Sequence, residues 1–477
     1  MNSIWKLVAL SFLVANNFGG AMASANTKIM NLYKQKSYYA FEFTSTVNSI
    51  VTVSIIVGFM LGAMFASTLA KKFSKRKIGA IASAFACLFN LLSMIPVHWI
   101  YLSVMRVFLG ASITTITTII PGWLFDLSPA AKRSLLSSTY QFFLTFGIFI
   151  SSTVMLGIKS DVDKFWQAFL YDAVVNVACS FVCLSIKEET APVHGLQTQV
   201  QETNQTVQEQ NNTVLENKNE ITWGSKQLRR AKLTIVLFSI GSQISGINVV
   251  IMYATQIFQN YFDSPMSDVY GSLIAAGVNA VSTLPALPFV SKFNRKTILF
   301  FGWFLMNLGH LMLIAAYVFD VQLLILIGSI VFLLGFEFGP GTMMVVVLGE
   351  IHPRKFNQQL NSFGYTIMWI VNIIVVITFP YFEKIVWAAY TIYFAVSFIC
   401  GVILCKIMPE TRGKSSDEID SEVLGIKTVQ DEIIKDDLTK IANDETPVGR
   451  RGMKRKSSHV FKTRIFPDRG VYFTIFK

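Results

Sequence analysis

The chain has 477 residues, 52% of them apolar and only 15% charged, where soluble domains carry about 25% charged residues. So little charge excludes a water-facing surface of this size. The net charge of +12 would suit nucleic acid, but the cations sit in short turns between apolar runs. They cluster at Lys71, Lys72, Lys75, Arg76 and Lys77, at Lys226, Arg229, Arg230 and Lys232, and at Lys292, Arg295 and Lys296. A nucleic-acid face needs an aqueous domain to carry it, whereas basic short loops mark the cytoplasmic side of a membrane protein. No nucleic-acid partner is expected; the lipid bilayer is.

In chain order, apolar spans are predicted near 5–25, 47–70, 77–97, 99–124, 135–156 and 167–186. A second set follows near 231–257, 269–290, 297–318, 322–349, 359–381 and 385–407. Each approaches the roughly 20 residues that cross a bilayer core. Ala21-Met22-Ala23 resembles a signal cleavage site, but Lys6 alone supplies a charge before it and eleven more spans follow. The first helix is expected to stay. Residues 187–229 are rich in Gln, Asn, Glu and Thr, a composition that cannot bury a core. They read as a cytoplasmic loop in which the sequons at Asn204 and Asn211 are idle. The tail 409–477 turns hydrophilic, acidic and then basic, and is expected to lack fixed structure. The five cysteines lie in apolar runs without metal-ligand spacing and read as packing residues.

The two sets repeat each other. Lys71-Lys72-Phe73-Ser74-Lys75-Arg76-Lys77 returns as Ser291-Lys292-Phe293-Asn294-Arg295-Lys296-Thr297, 220 residues on (71 to 291). Asp126-Leu127-Ser128-Pro129 returns as Glu350-Ile351-His352-Pro353, 224 residues on (126 to 350), and Glu189-Thr190 as Glu410-Thr411, 221 on (189 to 410). The expected architecture is an all-α membrane protein of twelve transmembrane helices in two pseudo-symmetric six-helix bundles, 1–186 and 230–408. Parallel repeats of this kind are a transporter architecture, with the substrate near the midplane between the halves. An even number of spans puts both termini on one side, here the cytoplasm, and the plasma membrane is the expected location.

Several motifs together resemble the sugar porter family of the major facilitator superfamily, which includes the facilitative glucose transporters. They are Pro409-Glu410-Thr411-Arg412-Gly413 after the last span and Gln243-Ile244-Ser245-Gly246-Ile247-Asn248 with Tyr253 in the seventh. Gly335-Phe336-Glu337-Phe338-Gly339-Pro340-Gly341 lies in the tenth, and Arg106 to Gly110 leads to Pro121, Asp126, Pro129 and Arg133. The resemblance covers nearly all of residues 1–415 and implies the major facilitator fold, a hexose substrate and alternating access.

The side-chain chemistry agrees. A sugar's hydroxyls donate and accept, and so do amides; Gln141, Gln243, Asn248 and Asn279 place amides inside apolar spans. The alternative for any one of them is an interhelical bridge. Trp369, with Asn372 one turn on, offers an aromatic face to the sugar's C–H surface, unless it is an interfacial anchor. Glu337 is a carboxylate within an apolar span, functional by default, and the resemblance puts it near the sugar. Gly339-Pro340-Gly341 reads as a local unwinding or hinge, since Pro lacks the N–H a phosphate cradle needs.

By the same resemblance Asp126, Arg133 and Glu350 form a cytoplasmic gate, with Arg106 a further conformational residue. The pattern departs at Lys71, Ser291 and Asn357 in the gate, and at Ser242, Val345 and Met368 near the sugar. Fewer ion pairs predict a resting carrier biased inward; the changes near the sugar predict a roomier, donor-poor pocket. Proton-coupled members of the family carry an Asp in the first span, where this chain has Asn17. An amide does not titrate, and with Asp126 at the rim no other carboxylate is expected deep in the first bundle. Facilitated diffusion is therefore favoured over symport of a sugar or polyol. No Walker A motif, zinc spacing or nucleophile elbow occurs, so neither an enzyme nor a cofactor or metal is expected. A sensor that binds sugar without moving it is the remaining rival.

Overall fold

The computed structural model describes residues 2–23, 33–39, 44–127, 133–157, 162–186, 221–252, 267–351, 353–382, 384–412, 414 and 416–425. The chain divides into two compact units, Met1–Ile426 and Lys427–Lys477, and the described residues all belong to the first. The loop expected at 187–229 is described only from Ile221; the sequons, Pro129, Glu189, Tyr253 and the tail beyond Gly425 lie outside the described residues.

The first six spans are α1 (Asn2–Ala23), α2 (Ser45–Lys72), α3 (Lys75–Ser93), α4 (Trp99–Leu127), α5 (Arg133–Gly157) and α6 (Trp166–Ser185). The seventh span is broken into α7 (Arg229–Gln243) and α8 (Ile247–Met252), and the eighth into α9 (Ser267–Thr283) and α10 (Ala286–Lys292). The ninth is α11 (Arg295–Phe319). The tenth runs through α12 (Gln322–Phe336), a π-helical turn (Glu337–Gly341) and α13 (Thr342–Glu350). The eleventh is α14 (Asn357–Thr378), the twelfth α15 (Val386–Ile407), and a short α16 (Ser416–Leu424) follows. Among the described residues, nine helices are long and apolar enough to cross a membrane by length and composition. Side chains such as Phe181, Phe304 and Leu323 are exposed along their helices, which in lipid carries no hydrophobic penalty.

Packing follows the repeat. In the first half α1 packs on α5, α2 on α4 and α3 on α6; in the second, α7 packs on α14, α9 on α12 and α11 on α15. Each pair of the second set stands six spans after its counterpart. The halves meet where α2 packs on α14 and α5 on α9, and these two contacts are also exchanged by the same shift.

The two basic turns show the repeat at atomic scale. The Phe73 N–H donates to the Leu69 carbonyl at 2.9 Å, and the Phe293 N–H donates to the Phe289 carbonyl at 2.9 Å. Both residues are extended, and Ser74 and Asn294 then start the next helix at N-cap positions. The Ser74 hydroxyl accepts from the Lys77 N–H at 3.4 Å. In the second half the cap comes from a distance: the Glu410 carboxylate accepts from the Arg295 N–H at 3.0 Å and the Lys296 N–H at 3.1 Å. An anion at a helix N-terminus satisfies orphan donors and the helix dipole, which gives the Pro409-Glu410-Thr411 motif a structural task.

Candidate substrate-binding site

The tenth span explains how a carboxylate comes to lie inside the molecule. Its Gly302 and Gly339 contact is so close that a Cβ on Gly302 would stand 2.3 Å from the Gly339 Cα, so α11 holds the π turn in place. π turns widen a helix and recur at functional sites. This one turns Glu337 inward, where the Thr342 hydroxyl donates to its backbone carbonyl. Gly339-Pro340-Gly341, expected to unwind the helix locally, instead forms part of one widened turn in a helix that continues on both sides.

The Glu337 carboxylate accepts a hydrogen bond from Gln141 Nε2 at 2.9 Å, a contact between α5 of one half and the tenth span of the other. Asn279 on α9 lies within electrostatic reach of this carboxylate. A Cβ on Gly341 would lie 2.6 Å from Glu337 Oε2 and 3.2 Å from Gln141 Nε2. Gly341 therefore leaves the space in which amide and carboxylate meet.

Around them is a cavity of about 80 Å³. Gln141, Gln243, Asn248, Asn279, Glu337 and Trp369 all line it. Asn248 Nδ2 donates to Gln243 Oε1 at 3.1 Å across the break in the seventh span. Gly246, at φ 77°, sits in that break, where a side chain would be strained and would also meet the Tyr393 ring at 2.9 Å. Gln141 Oε1, Asn279 Oδ1 and Trp369 Nε1 are buried with no hydrogen-bond partner among the described residues. A buried polar atom without a partner costs about 1–3 kcal/mol, so a ligand rich in hydroxyls would recover hydrogen bonds here.

Asn372 is the exception among the expected sugar ligands. It is buried, its amide nitrogen and oxygen both lack partners among the described residues, and it does not line the cavity. Met368, at a position where the family commonly has an amide, does line it. The aromatic wall is larger than Trp369 alone. The Trp369 ring lies 4.8 Å from that of Phe59 and 5.9 Å from that of Phe18, and these two stack at 5.0 Å. Phe18, Tyr140 and Tyr365 also line the cavity. Sequence reasoning missed all of these because phenylalanine and tyrosine are common throughout apolar spans.

The gate residues are not brought together with this site. Asp126 stands near the end of α4, Arg133 opens α5 and Glu350 closes α13, but their side chains lie outside the described residues. Arg106 does not belong with them. It is fully buried, twenty residues before Asp126 on α4, a rise of about 30 Å. Its Nε donates to the Val51 carbonyl at 3.2 Å and its Nη2 to the Ala21 carbonyl at 3.4 Å.

One expectation fails outright. The first bundle does hold a deep carboxylate: Asp172, in the middle of α6, is 2% exposed and lies within electrostatic reach of Arg106. The signal was legible, an Asp within the apolar stretch 167–186. Asn17 is buried close by, its Nδ2 donating to Asn176 Oδ1 at 2.9 Å.

A family model described as "Sugar (and other) transporter" matches residues 12–423. The chain belongs to the sugar porter family of the major facilitator superfamily. Among its curated relatives is the glucose transporter GlcP of Staphylococcus epidermidis, 24% identical over 404 residues, covering 80% of this chain and 89% of the relative. The galactose-proton symporter of Escherichia coli is 25% identical, covering 80% of this chain and 88% of the relative. Human facilitated glucose transporter member 5 of solute carrier family 2 is 23% identical, covering 87% and 91%. Among solved structures, the proton:xylose symporter XylE bound to 6-bromo-6-deoxy-D-glucose superposes with a TM-score of 0.74 at 20% identity, covering 88% of this chain and 99% of that one. As a sugar porter, the chain has the expected all-α architecture, and its family and fold are those of multi-pass transporters.

Proposed function

We propose that this sugar porter carries a hexose across the membrane by alternating access, using the cavity around Glu337 as its sugar site. The carrying observation is the convergence of Gln141 from one half with Glu337 and Asn279 from the other, with acceptor atoms left open toward the cavity. Rocking of the halves would make and break the Gln141–Glu337 contact, so a ligand that bridges it binds the two states differently, as alternating access requires. Phe18 and Trp369, backed by the Phe59 ring, offer an apolar surface to the C–H face of a pyranose ring. The departure at Met368 supports a pocket poorer in donors and so a less exacting hexose preference.

Location in the plasma membrane, with both termini, the 187–229 loop and the 409–477 tail in the cytoplasm, is part of the same proposal. It is supported by the basic turns at Lys71–Lys77 and Lys292–Lys296. The test is counterflow of labelled glucose in liposomes holding the purified protein, with xylose, galactose, fructose and a polyol as competitors. Saturable exchange stimulated by sugar inside is expected. Binding without exchange would overturn the carrier reading in favour of a sensor.

On coupling, Asn17 in place of a carboxylate supports facilitated diffusion. A second reading, symport with protons, has a specific observation in its favour: the buried carboxylate of Asp172 beside Arg106.

A further inference from the structure

The seventh span breaks between α7 and α8, and a break leaves backbone carbonyls without their helical donors. Two of them are satisfied locally. The Gly246 N–H donates to the Gln243 carbonyl at 3.2 Å, and the Ser245 hydroxyl donates to the Ser242 carbonyl at 2.6 Å. The Ser245 carbonyl accepts from another span: His310 of α11, 65 residues on, places its Nε2 2.9 Å away. A carbonyl only accepts, so Nε2 carries the ring proton. His310 is fully buried, its ring 4.9 Å from that of Phe332 and 6.3 Å from that of Tyr390. Tyr390 in turn meets Tyr393, the ring that closes on Gly246.

Local caps travel with the helix that owns them, whereas a cap from another span ties two spans together. The ninth span is itself tied to the tenth. Gly302 against Gly339, Gly335 against Met306 and Gly309 against Phe332 all approach too closely to admit a Cβ. These contacts run along α11 from the π turn that carries Glu337 to the residue next to His310. Among the described residues, none from α11 lines the cavity. The ninth span therefore stands behind the site, fixed to the turn of Glu337 at one level and to the seventh-span break at another.

We propose that His310 is a positioning residue for the sugar: it fixes the seventh-span break, and with it the Gln243–Asn248 pair, relative to Glu337. The proposal rests on the carrier reading above. Asn248 Nδ2 and Gln243 Oε1 meet at 3.1 Å across the break, so the pair depends on the offset between the two helix pieces. The Val250 N–H donates to the Gly246 carbonyl at 3.1 Å, which starts α8 on the residue after the one His310 holds. A shift of Ser245 thus turns Gln243 on one side and Asn248 on the other. Without the imidazole donor the buried Ser245 carbonyl must find a new partner, and the break is free to rotate. The two amides then no longer face the sugar together with the Glu337 carboxylate, and simultaneous contacts are lost.

The test is glucose counterflow by the full-length chain in liposomes, read as half-saturating concentration and maximal exchange rate, with the thermal midpoint measured beside them. His310→Phe keeps a ring and removes the donor. It is expected to raise half-saturation about tenfold, the worth of one buried hydrogen bond, with the maximal rate within about threefold of wild type. His310→Gln carries an amide nitrogen about as far out as Nε2 and is expected to stay within about threefold of the wild-type half-saturation. His310→Asn is one bond shorter and is expected to behave as His310→Phe. In a Gln243→Ala background, His310→Phe is expected to add less than about twofold, because the residue it positions is gone. Half-saturation unchanged in His310→Phe, with only the midpoint or the maximal rate lowered, would make His310 structural and overturn the proposal while leaving the carrier intact. Equal half-saturation in the Gln and Asn variants, or full additivity with Gln243→Ala, would overturn it as well. Should His310→Phe not fold, the Gln and Asn pair decides; failure of all three to fold would also make His310 structural. Absence of counterflow in the wild type would overturn the carrier reading, and the proposal with it.

Discussion

Among the described residues, two carboxylates are buried within the spanning helices, Asp172 in the first half and Glu337 in the second, and they are held in opposite ways. Glu337 lies on a π turn, faces a cavity, accepts a hydrogen bond from an amide of the other half and leaves neighbouring polar atoms open to a ligand. Asp172 lies in an unbroken helix within its own half, without hydrogen bonds among the described residues, against a glycine and beside an arginine. A charge that bridges halves senses what lies between them. A charge enclosed in one half senses only how that half is packed. The first arrangement suits a solute that bridges the halves.

The sharpest way to break that contrast is to remove Glu337. Hydrogen bonds to charged groups contribute about 1.5–3 kcal/mol each, and about 1.4 kcal/mol is tenfold. Glu337→Ala loses contacts to two amides, so labelled-sugar exchange is expected to fall about a hundredfold. If exchange stays within threefold of wild type, Glu337 is structural and the contrast collapses. Gly341→Ala pushes on the same carboxylate from 2.6 Å, and should weaken sugar affinity about tenfold while lowering the thermal midpoint, since overpacking costs about 1–3 kcal/mol.

Gly20→Ala tests the other half. The added methyl must displace Asp172 from a 1.8 Å approach, and overpacking of this kind costs about 1–3 kcal/mol. A lower thermal midpoint is expected, with sugar affinity changed by less than about threefold; an equal loss of affinity would show that the two carboxylates form one site. Trp369→Leu keeps an apolar side chain but removes the ring that meets Phe18 and Phe59. Sugar affinity should fall about fivefold, in line with the roughly 1 kcal/mol of an aromatic contact. Asn372→Ala should do least: it lies off the cavity with both amide atoms unpartnered among the described residues. Sugar affinity should stay within about twofold, and stability should hold or rise, because an unsatisfied buried amide is lost.

Much of the site could be read in advance because amides and a carboxylate stand out against an apolar background. Gln141, Gln243, Asn248, Asn279 and Glu337 are conspicuous in spans that otherwise hold Val, Ile, Leu and Phe. Asn372 is just as conspicuous and lies off the cavity, since polarity says that a side chain needs a partner and not which partner it finds. The aromatic wall was not legible for the converse reason: Phe18, Tyr140 and Tyr365 look like every other aromatic of an apolar span, and only the tertiary structure puts the cavity beside them. Asp172 shows a third case: an Asp within the apolar stretch 167–186 is legible in the sequence, but it stands in the sixth span and not in the first, where the resemblance places a carboxylate.

By itself the sequence determined the spans and the repeat. Lipid offers the backbone no hydrogen bonds, so each crossing must be a long apolar helix, and the basic turns recur 220 residues apart (71 to 291). The tertiary structure alone decided which polar groups meet. Gln141 reaches Glu337 across 196 residues of chain, Asp172 fills the gap at Gly20, and Gly246 breaks the seventh span where the hydrophobic pattern runs straight on. Those outcomes depend on which face each helix turns to its neighbours, and in a span apolar all round, periodicity carries no record of that choice.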